Sequence, residues 1–180
     1  MNLLNVSLCT NRLSLPILSM KYKEEIFKEF TEEITHYMRP CAPKKASETE
    51  TFIHETMERI KNNQELVVAI LKQESQEFLG CAAIHEVGRK DPELGIWLKK
   101  TAHGNKYGLE AIAALKYWAD IHLSYEYCRY PVDRANIASR KIPEALGGKV
   151  VREFDVVSMS GNTLHLLEYR IDKICDRTLI

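Results

Sequence analysis

Cysteine is scarce in this sequence and follows no ligand pattern. The five cysteines are Cys9, Cys41, Cys81, Cys128 and Cys175. They are odd in number and widely spaced, and none belongs to a CxxC pair or a Cys/His cluster. The usual zinc-site spacings and a secreted disulfide framework are thereby excluded. We predict no metal ion and a reduced, cytoplasmic setting.

Long apolar runs and an excess of charge of one sign are also missing. The longest apolar run, residues 66–71, is far shorter than the roughly 20 residues that a membrane-spanning helix needs. The first basic residue, Arg12, comes too late to lead a signal peptide. The 25 basic and 25 acidic side chains cancel, and no basic block exceeds two residues. The sequence therefore predicts neither a membrane nor a nucleic acid as partner.

Low-complexity tracts, internal repeats and linker-like segments do not occur, and what remains is the profile of one globular domain. The chain has 180 residues, of which 45% are hydrophobic and 28% are charged. We expect a single domain over residues 1–180, with enough apolar residues to bury a sizeable core.

Periodicity predicts a mixed order of strands and helices. A strand starts at Leu13, where Pro16 suggests a position at the sheet edge, and a helix follows around Ile26. A second helix opens with Ser47 and Glu50 as a capping box. Apolar runs then predict three antiparallel strands at 65–72, 77–87 and 93–99, a long helix at 106–122 and a fifth strand at 127–132. A short helix ended by a glycine at 136–148 and a hairpin at 149–171 follow.

The segment HGNKYG, residues 103–108, joins the third antiparallel strand to the long helix. Its glycines, Gly104 and Gly108, let backbone approach a ligand closely, and the free N–H groups of a helix start favour an anion. The spacing fits neither GxGxxG nor GxxxxGK[ST], so the glycines alone leave an ordinary turn open.

Two longer segments extend this pattern, ELGIWLKKTAHGNKYGLEAIAALKYWA at 93–119 and YPVDRANIASRKIPEALGGKV at 130–150. They resemble the GNAT acetyltransferase superfamily, and especially the branch that acetylates ribosomal-protein N-termini. That branch has a strand, an R/Q-x-x-G-x-G/A loop and a helix beginning EA, followed by a V…N…S…LG segment. The resemblance runs from about Leu13 to Ile171. It implies a mixed α/β (α+β) domain with a mostly antiparallel sheet flanked by helices, and acetyl-CoA as co-substrate.

The resemblance also implies which residues contact acetyl-CoA. Backbone groups of Ile96, Trp97 and Leu98 would pair with the pantetheine arm and stabilise the oxyanion where the strand splays. The pyrophosphate would lie on the loop, and the implied loop contacts are His103, Gly104, Asn105, Lys106, Tyr107 and Gly108.

Two loop positions depart from the family pattern. His103 stands where the family prefers arginine or glutamine, and Lys106 replaces the middle glycine. The Lys106 backbone can still donate its N–H and its ammonium can neutralise pyrophosphate, whereas its Cβ would crowd the cofactor. Asn136 is implied to contact the cofactor, with a helix cap as the equal alternative.

Acetyl transfer to an amine needs a base and a proton donor for the departing thiolate. Glu93 is the preferred base, since burial would raise its pKa towards the useful range, and an exposed strand-end carboxylate is the alternative. His85 on the neighbouring strand is a second base candidate, although a lone strand histidine is more often structural. By the resemblance, Ser139 lies beside the cofactor sulfur and can protonate the thiolate, with ordinary bonding to its own helix as the alternative.

The tyrosine that many superfamily members carry four residues after this serine is replaced here by Pro143. Tyr130 is a weaker substitute as proton donor. Because proline cannot donate to the carbonyl of Ser139, we expect the short helix to kink or break at Pro143.

These observations predict an acetyl-CoA-dependent N-acetyltransferase that acts on a primary amine by direct transfer in a ternary complex. The favoured acceptor is a protein N-terminal α-amine. A small-molecule amine acceptor and a non-catalytic acyl-CoA sensor of the same fold remain alternatives, and a homodimer is left open.

Overall fold

The computed structural model describes residues 2–174, which form one eight-stranded sheet with helices packed against it. The strands are β1 Ser7–Cys9, β2 Leu13–Pro16, β3 Glu65–Lys72, β4 Phe78–His85, β5 Glu93–Leu98, β6 Tyr127–Asp133, β7 Lys149–Val157 and β8 Thr163–Asp172. The α-helices are α1 Lys23–Glu29, α2 Glu32–Thr35, α3 Ala46–Lys61, α4 Tyr107–His122 and α5 Ile137–Ala145. None of the helices in this described part combines the length and apolar character needed to cross a membrane.

The sheet is mixed and mostly antiparallel, as predicted. Its strand order is β1-β2-β3-β4-β5-β6-β8-β7, and β5 with β6 is the parallel pair. The antiparallel meander β3-β4-β5 and the closing hairpin β7-β8 are both confirmed. Helix α4 begins one residue after the predicted start and ends at the predicted His122.

The expectation that Pro16 marks a sheet edge is wrong. Strand β1, which the sequence analysis missed, pairs with β2 and sets Ser7 opposite Pro16, so β2 lies between β1 and β3. Pro16 is the last residue of β2. At the end of a strand the missing proline N–H interrupts little of the ladder, and for this reason a neighbour on both sides is tolerated.

The predicted capping box is also wrong. Helix α3 starts at Ala46, so Ser47 lies inside its first turn, and the N-cap Lys45 makes no side-chain capping bond. Instead, Glu48 accepts a hydrogen bond from the Lys44 backbone N–H at 2.7 Å. A carboxylate in the first turn also interacts favourably with the positive end of the helix, which explains how the helix starts without a polar N-cap.

Helix α5 does not break at Pro143 but continues to Ala145, and a kink at Pro143 stays a prediction. Proline removes the hydrogen bond to the carbonyl four residues earlier, but the following turn still closes because the Leu146 N–H donates to Ile142 at 3.2 Å and to Pro143 at 3.1 Å. Gly147 follows with φ +77°, a left-handed conformation that ends the helix as predicted.

Helices α1 and α4 cover opposite faces of β5. The Trp97 ring lies 4.8 Å from that of Phe30, which follows α1. On the other face, a Cβ added at Gly108 in the first turn of α4 would come within 3.5 Å of Ile96. Alternate residues of a strand point to opposite faces, so this packing places Glu93, Gly95 and Trp97 on the α1 side.

Candidate active site

The parallel strands β5 and β6 separate almost as soon as they meet. Their registered pair is Glu93 opposite Arg129, and the Arg129 N–H donates to the Pro92 carbonyl at 2.9 Å. Beyond this pair, β5 continues to Leu98, while β6 pairs along its length with β8. The expected splay therefore starts directly before Ile96, Trp97 and Leu98, and the β5 edge that faces β6 is available to a ligand.

The HGNKYG loop ends in a helix start that lacks a side-chain cap. Lys106 is the N-cap of α4, adopts the left-handed conformation with φ 61° and makes no capping hydrogen bond. The first N–H groups of α4, beginning at Tyr107 and Gly108, therefore remain suited to an external anion. Gly104 also has a positive φ of +78°, and no described atom lies within 4 Å of the position that its Cβ would take.

Side-chain hydrogen bonds hold this loop in shape. His103 donates from Nε2 to the Leu98 carbonyl at 3.0 Å, so its ring folds onto the end of β5. Asn105 donates from Nδ2 to the carbonyls of Ala102 and His103 at 3.3 and 3.0 Å. The two side chains thus serve the loop itself, while the loop backbone is left to face a ligand.

Arg12, in the turn between β1 and β2, braces the loop from outside it. Its Nη1 donates to the Asn105 carbonyl at 3.1 Å, and its guanidinium lies 4.8 Å from the centre of the Tyr107 ring. Glu110 fixes the same guanidinium by accepting from Nε at 2.7 Å. Sequence reasoning missed Arg12 because 93 residues separate it from Asn105.

Titratable side chains form one row across four strands at the mouth of the splay. Register places Glu65 opposite His85, His85 opposite Glu93, and Glu93 opposite Arg129. The structure thus brings together the two predicted base candidates, Glu93 and His85. Burial raises the pKa of Glu93 above its ordinary value, although the Arg129 guanidinium at 3.3 Å opposes this effect.

Arg129 forms ion pairs with several carboxylates in this region and offsets their negative charge. Its guanidinium lies 2.6 Å from Glu86, 3.3 Å from Glu93 and 3.6 Å from Glu168, and its Nε donates to the Asp91 carbonyl at 2.9 Å. A planar group with five donors suits such multiple pairing. Sequence reasoning missed Arg129 because a single arginine in a strand carries no spacing signal.

Two hydroxyl groups meet beside the splay, on β6 and α5. The Tyr130 hydroxyl lies 2.8 Å from Ser139 Oγ. Burial raises the pKa of Tyr130 to about 12, against the opposing hydrogen bond with Ser139, so the phenol stays protonated at neutral pH. Asn136 caps α5 by accepting from the Ser139 N–H at 3.2 Å. This bond confirms the capping alternative for Asn136, whereas its contact with the cofactor stays a prediction.

The loop 37–43 contacts the turn of the closing hairpin. The Met159 N–H, in the turn between β7 and β8, donates to the Arg39 carbonyl at 2.8 Å. Arg39 belongs to YMRPCAP, residues 37–43, and its positive charge is among those that lower the pKa of Glu93 against the dominant effect of burial. The segment therefore lies next to the closing hairpin.

Solved structures with the same fold include acetyltransferases. The acetyltransferase from Salmonella typhimurium that modifies the N-terminal serine of 50S ribosomal subunit protein L7/L12 is 12% identical, with a TM-score of 0.79 over 92% of this chain and 97% of that one. A GCN5-related N-acetyltransferase from Brucella melitensis is 17% identical, with a TM-score of 0.76 over 93% of this chain and 79% of that one. The microcin C7 self-immunity acetyltransferase MccE, in complex with acetyl-CoA and AMP, is 17% identical, with a TM-score of 0.79 over 91% of this chain and 93% of that one.

The sequence itself carries the family signature. No curated protein sequence matches the chain, and the low identities to the solved structures show a shared fold alone. Residues 13–149 match the family described as acetyltransferase (GNAT) domain. This match spans the splayed strands, the uncapped helix start and the paired hydroxyls, and the chain belongs to the GNAT acetyltransferase family.

Proposed function

We propose that this protein transfers the acetyl group of acetyl-CoA directly to a primary amine, with a protein N-terminal α-amine as the favoured acceptor. The observation that carries the proposal is the divergence of β5 from β6 directly after Glu93 and Arg129. This divergence leaves the β5 backbone edge free between a carboxylate at one end and the uncapped start of α4 at the other.

The residues along this gap fit acetyl-CoA. Backbone groups of residues 96–98 would pair with the pantetheine arm, and the loop residues 103–108 would hold the pyrophosphate at the start of α4. When bound there, acetyl-CoA supplies the thioester carbon that the amine attacks. Ile142 of α5 packs 3.1 Å from the position of a Gly108 Cβ. This contact keeps Ser139, one helical turn earlier, on the same side of the gap.

The acceptor amine must lose a proton before it attacks. An α-amine has a pKa near 8 and a lysine near 10.4, so an N-terminus gives up this proton more readily. Glu93 is the proposed base, because burial raises its pKa above that of an exposed carboxylate. The carboxylate also attracts the incoming ammonium.

Ser139 is the proposed proton donor for the departing thiolate. A hydroxyl is a weak acid on its own, but a protonated Tyr130 that donates to Ser139 Oγ strengthens its donation. The pair takes the role of the tyrosine that Pro143 replaces. In this arrangement the serine contacts the sulfur and the buried tyrosine supports it.

A protein N-terminus is favoured as acceptor by two observations. The Salmonella typhimurium enzyme modifies an N-terminal serine. In this chain the 37–43 segment and the closing hairpin, which we assign to the acceptor side, are hydrogen-bonded to each other. Substitutions in these two segments would change the acceptor preference without changing the cofactor site. A cytoplasmic setting stays a prediction, and a homodimer stays open.

Thiol release with a panel of amines tests the proposal. The panel contains peptides with free N-terminal serine, alanine or methionine, the same peptides with a blocked N-terminus and an internal lysine, a polyamine and an aminoglycoside. We expect release with the free N-termini and a thermal shift with acetyl-CoA. Turnover of the small amines alone would assign the acceptor to small-molecule amines. A thermal shift without turnover would favour a non-catalytic acyl-CoA sensor. Neither a shift nor turnover at saturating acetyl-CoA would overturn the proposal.

A further inference from the structure

A buried carboxylate lies one strand away from the candidate base. Glu65, at the start of β3, is 6% exposed. Its Oε2 lies 2.8 Å from His85 Nδ1, and its Oε1 accepts from Arg59 Nε at 2.9 Å. Arg59 is itself fixed by donating to Thr56 Oγ1 at 3.1 Å. A charged side chain that is buried and fixed in this way acts on its partners with little reorganisation.

The charge of Glu65 determines how the His85 ring is protonated. Burial opposes ionisation of Glu65, but the hydrogen bonds from His85 and Arg59 outweigh it and hold its pKa below the ordinary value. At neutral pH the carboxylate is therefore an acceptor only, and His85 must donate its Nδ1–H to it. In the neutral ring the lone pair then belongs to Nε2.

The Nε2 atom of His85 lies close to Gly95, which is two residues from Glu93 on β5. A Cβ added at Gly95 would come within 3.3 Å of His85 Nε2, so a side chain at this position would fill the space in front of it. Gly95 and Glu93 share one face of β5, and Glu93 is the register partner of His85. Paired residues on neighbouring antiparallel strands have Cβ atoms about 5 Å apart.

The charged groups that face His85 come from three neighbouring elements. Glu65 of β3 binds His85 Nδ1 with Arg59 of α3 behind it. Glu93 of β5 is the register partner of His85, and its own ion pair is with Arg129 of β6. The imidazole thus separates two carboxylates, each of which has its own arginine. One carboxylate is buried, and the other is at the splay.

We propose that Glu65 is a positioning residue, which holds His85 so that its Nε2 receives the proton that Glu93 takes from the acceptor amine. The inference rests on the proposed function. The N–H bond of the ammonium breaks as an O–H bond forms on Glu93. That O–H bond then breaks as the proton passes through one water molecule to His85 Nε2, where an N–H bond forms, and the imidazolium releases its proton to solvent. The side chain of His85 is 42% exposed, which provides this outlet.

The tautomer of His85 can be measured without turnover. Long-range ¹H–¹⁵N correlation spectra of the ¹⁵N-labelled protein at pH 8 distinguish the two neutral tautomers. We expect Nδ1 to carry the proton in the wild type and the preference to be lost in Glu65→Gln. A wild-type ring protonated on Nε2 would overturn the proposal, whatever the activity.

Kinetics test whether the positioned ring takes part in transfer. Glu65→Gln should lower kcat about tenfold, because the ring loses the carboxylate that fixes its tautomer, while the KM for acetyl-CoA stays unchanged. His85→Ala should lose a similar factor and recover with added imidazole. Gly95→Ala obstructs Nε2 while leaving Glu65 intact, and it covers the case in which Glu65→Gln fails to fold. The exposed Glu58→Gln on α3 is the matched control.

The outcomes separate this inference from the proposed function. An absence of wild-type turnover and of acetyl-CoA binding overturns both. Normal wild-type turnover with an unchanged kcat in Glu65→Gln and no imidazole rescue of His85→Ala overturns the role of Glu65 and His85 alone. In that case Glu93 would release its proton directly to water.

Discussion

Replacement of Lys106 by glycine tests how this chain manages without the glycine of the family pattern. Lys106 is exposed and already adopts the left-handed conformation with φ 61°, so the substitution removes a Cβ and a charge without requiring a new backbone. Relief of left-handed strain contributes about 1 kcal/mol. The greater freedom of glycine in the unfolded chain costs about the same. We therefore expect the melting temperature to change little.

The effect on acetyl-CoA depends on which of the two removed features matters. An exposed ammonium next to a phosphate contributes about 1 kcal/mol in a high-dielectric setting. Because the Lys106 backbone conformation already suits the loop, we expect this charge to dominate. Lys106→Gly should weaken acetyl-CoA binding about fivefold, a factor that corresponds to about 1 kcal/mol.

Titration calorimetry with acetyl-CoA at low and high salt measures this effect. Lys106→Asn is the matched variant, since asparagine tolerates the left-handed conformation and also lacks the charge. Both variants should bind with similar, weaker affinity, and the difference from the wild type should shrink at high salt because exposed charges are screened. Tighter binding by Lys106→Gly than by the wild type would refute the reasoning and show that the lysine Cβ crowds the cofactor.

The further predictions each concern a single residue. Glu93→Gln should slow transfer roughly 100-fold yet raise the melting temperature at neutral pH. Burial raises the folded pKa of Glu93, so the stability it contributes is lost as pH rises through that value. Ser139→Ala should lower kcat about tenfold with the affinity for acetyl-CoA unchanged, and Tyr130→Phe should lower kcat less, as steady-state rates would show. Gly104→Leu should raise the KM for acetyl-CoA more than it lowers kcat, since leucine is strained at φ +78°. Glu65 has a lowered folded pKa and stabilises the protein above its unfolded value of about 4.3. The difference in melting temperature between the wild type and Glu65→Gln should therefore shrink as the pH falls from 6 to 3, and a constant difference would contradict the assigned shift.

The elements whose side chains repeat at one clear period were predictable from the sequence. The apolar runs at 65–72 and 93–99 became β3 and β5, and the stripe of Ile112 and Leu115 became the buried face of α4. Short elements were not predictable. Strand β1 has three residues, too few for a period to show, and it was the missing neighbour of Pro16.

The candidate site was predicted in part. The motif positions Glu93, Gly104 and Ser139 could be identified because each belongs to a local segment that resembles a family. The residues that act on them could not be. Arg12 lies far from the loop in sequence, and Glu65 looks like the polar start of an apolar strand.

The sequence by itself determined the local conformations, because helical and strand periods and glycine positions are properties of neighbouring residues. It also determined the family, through two segments of matching motifs. Only the tertiary structure decided which charges meet. Strand register aligned Glu65, His85, Glu93 and Arg129 in one row, and a slip of one residue in any of these strands would have turned its member of the row to the other face of the sheet.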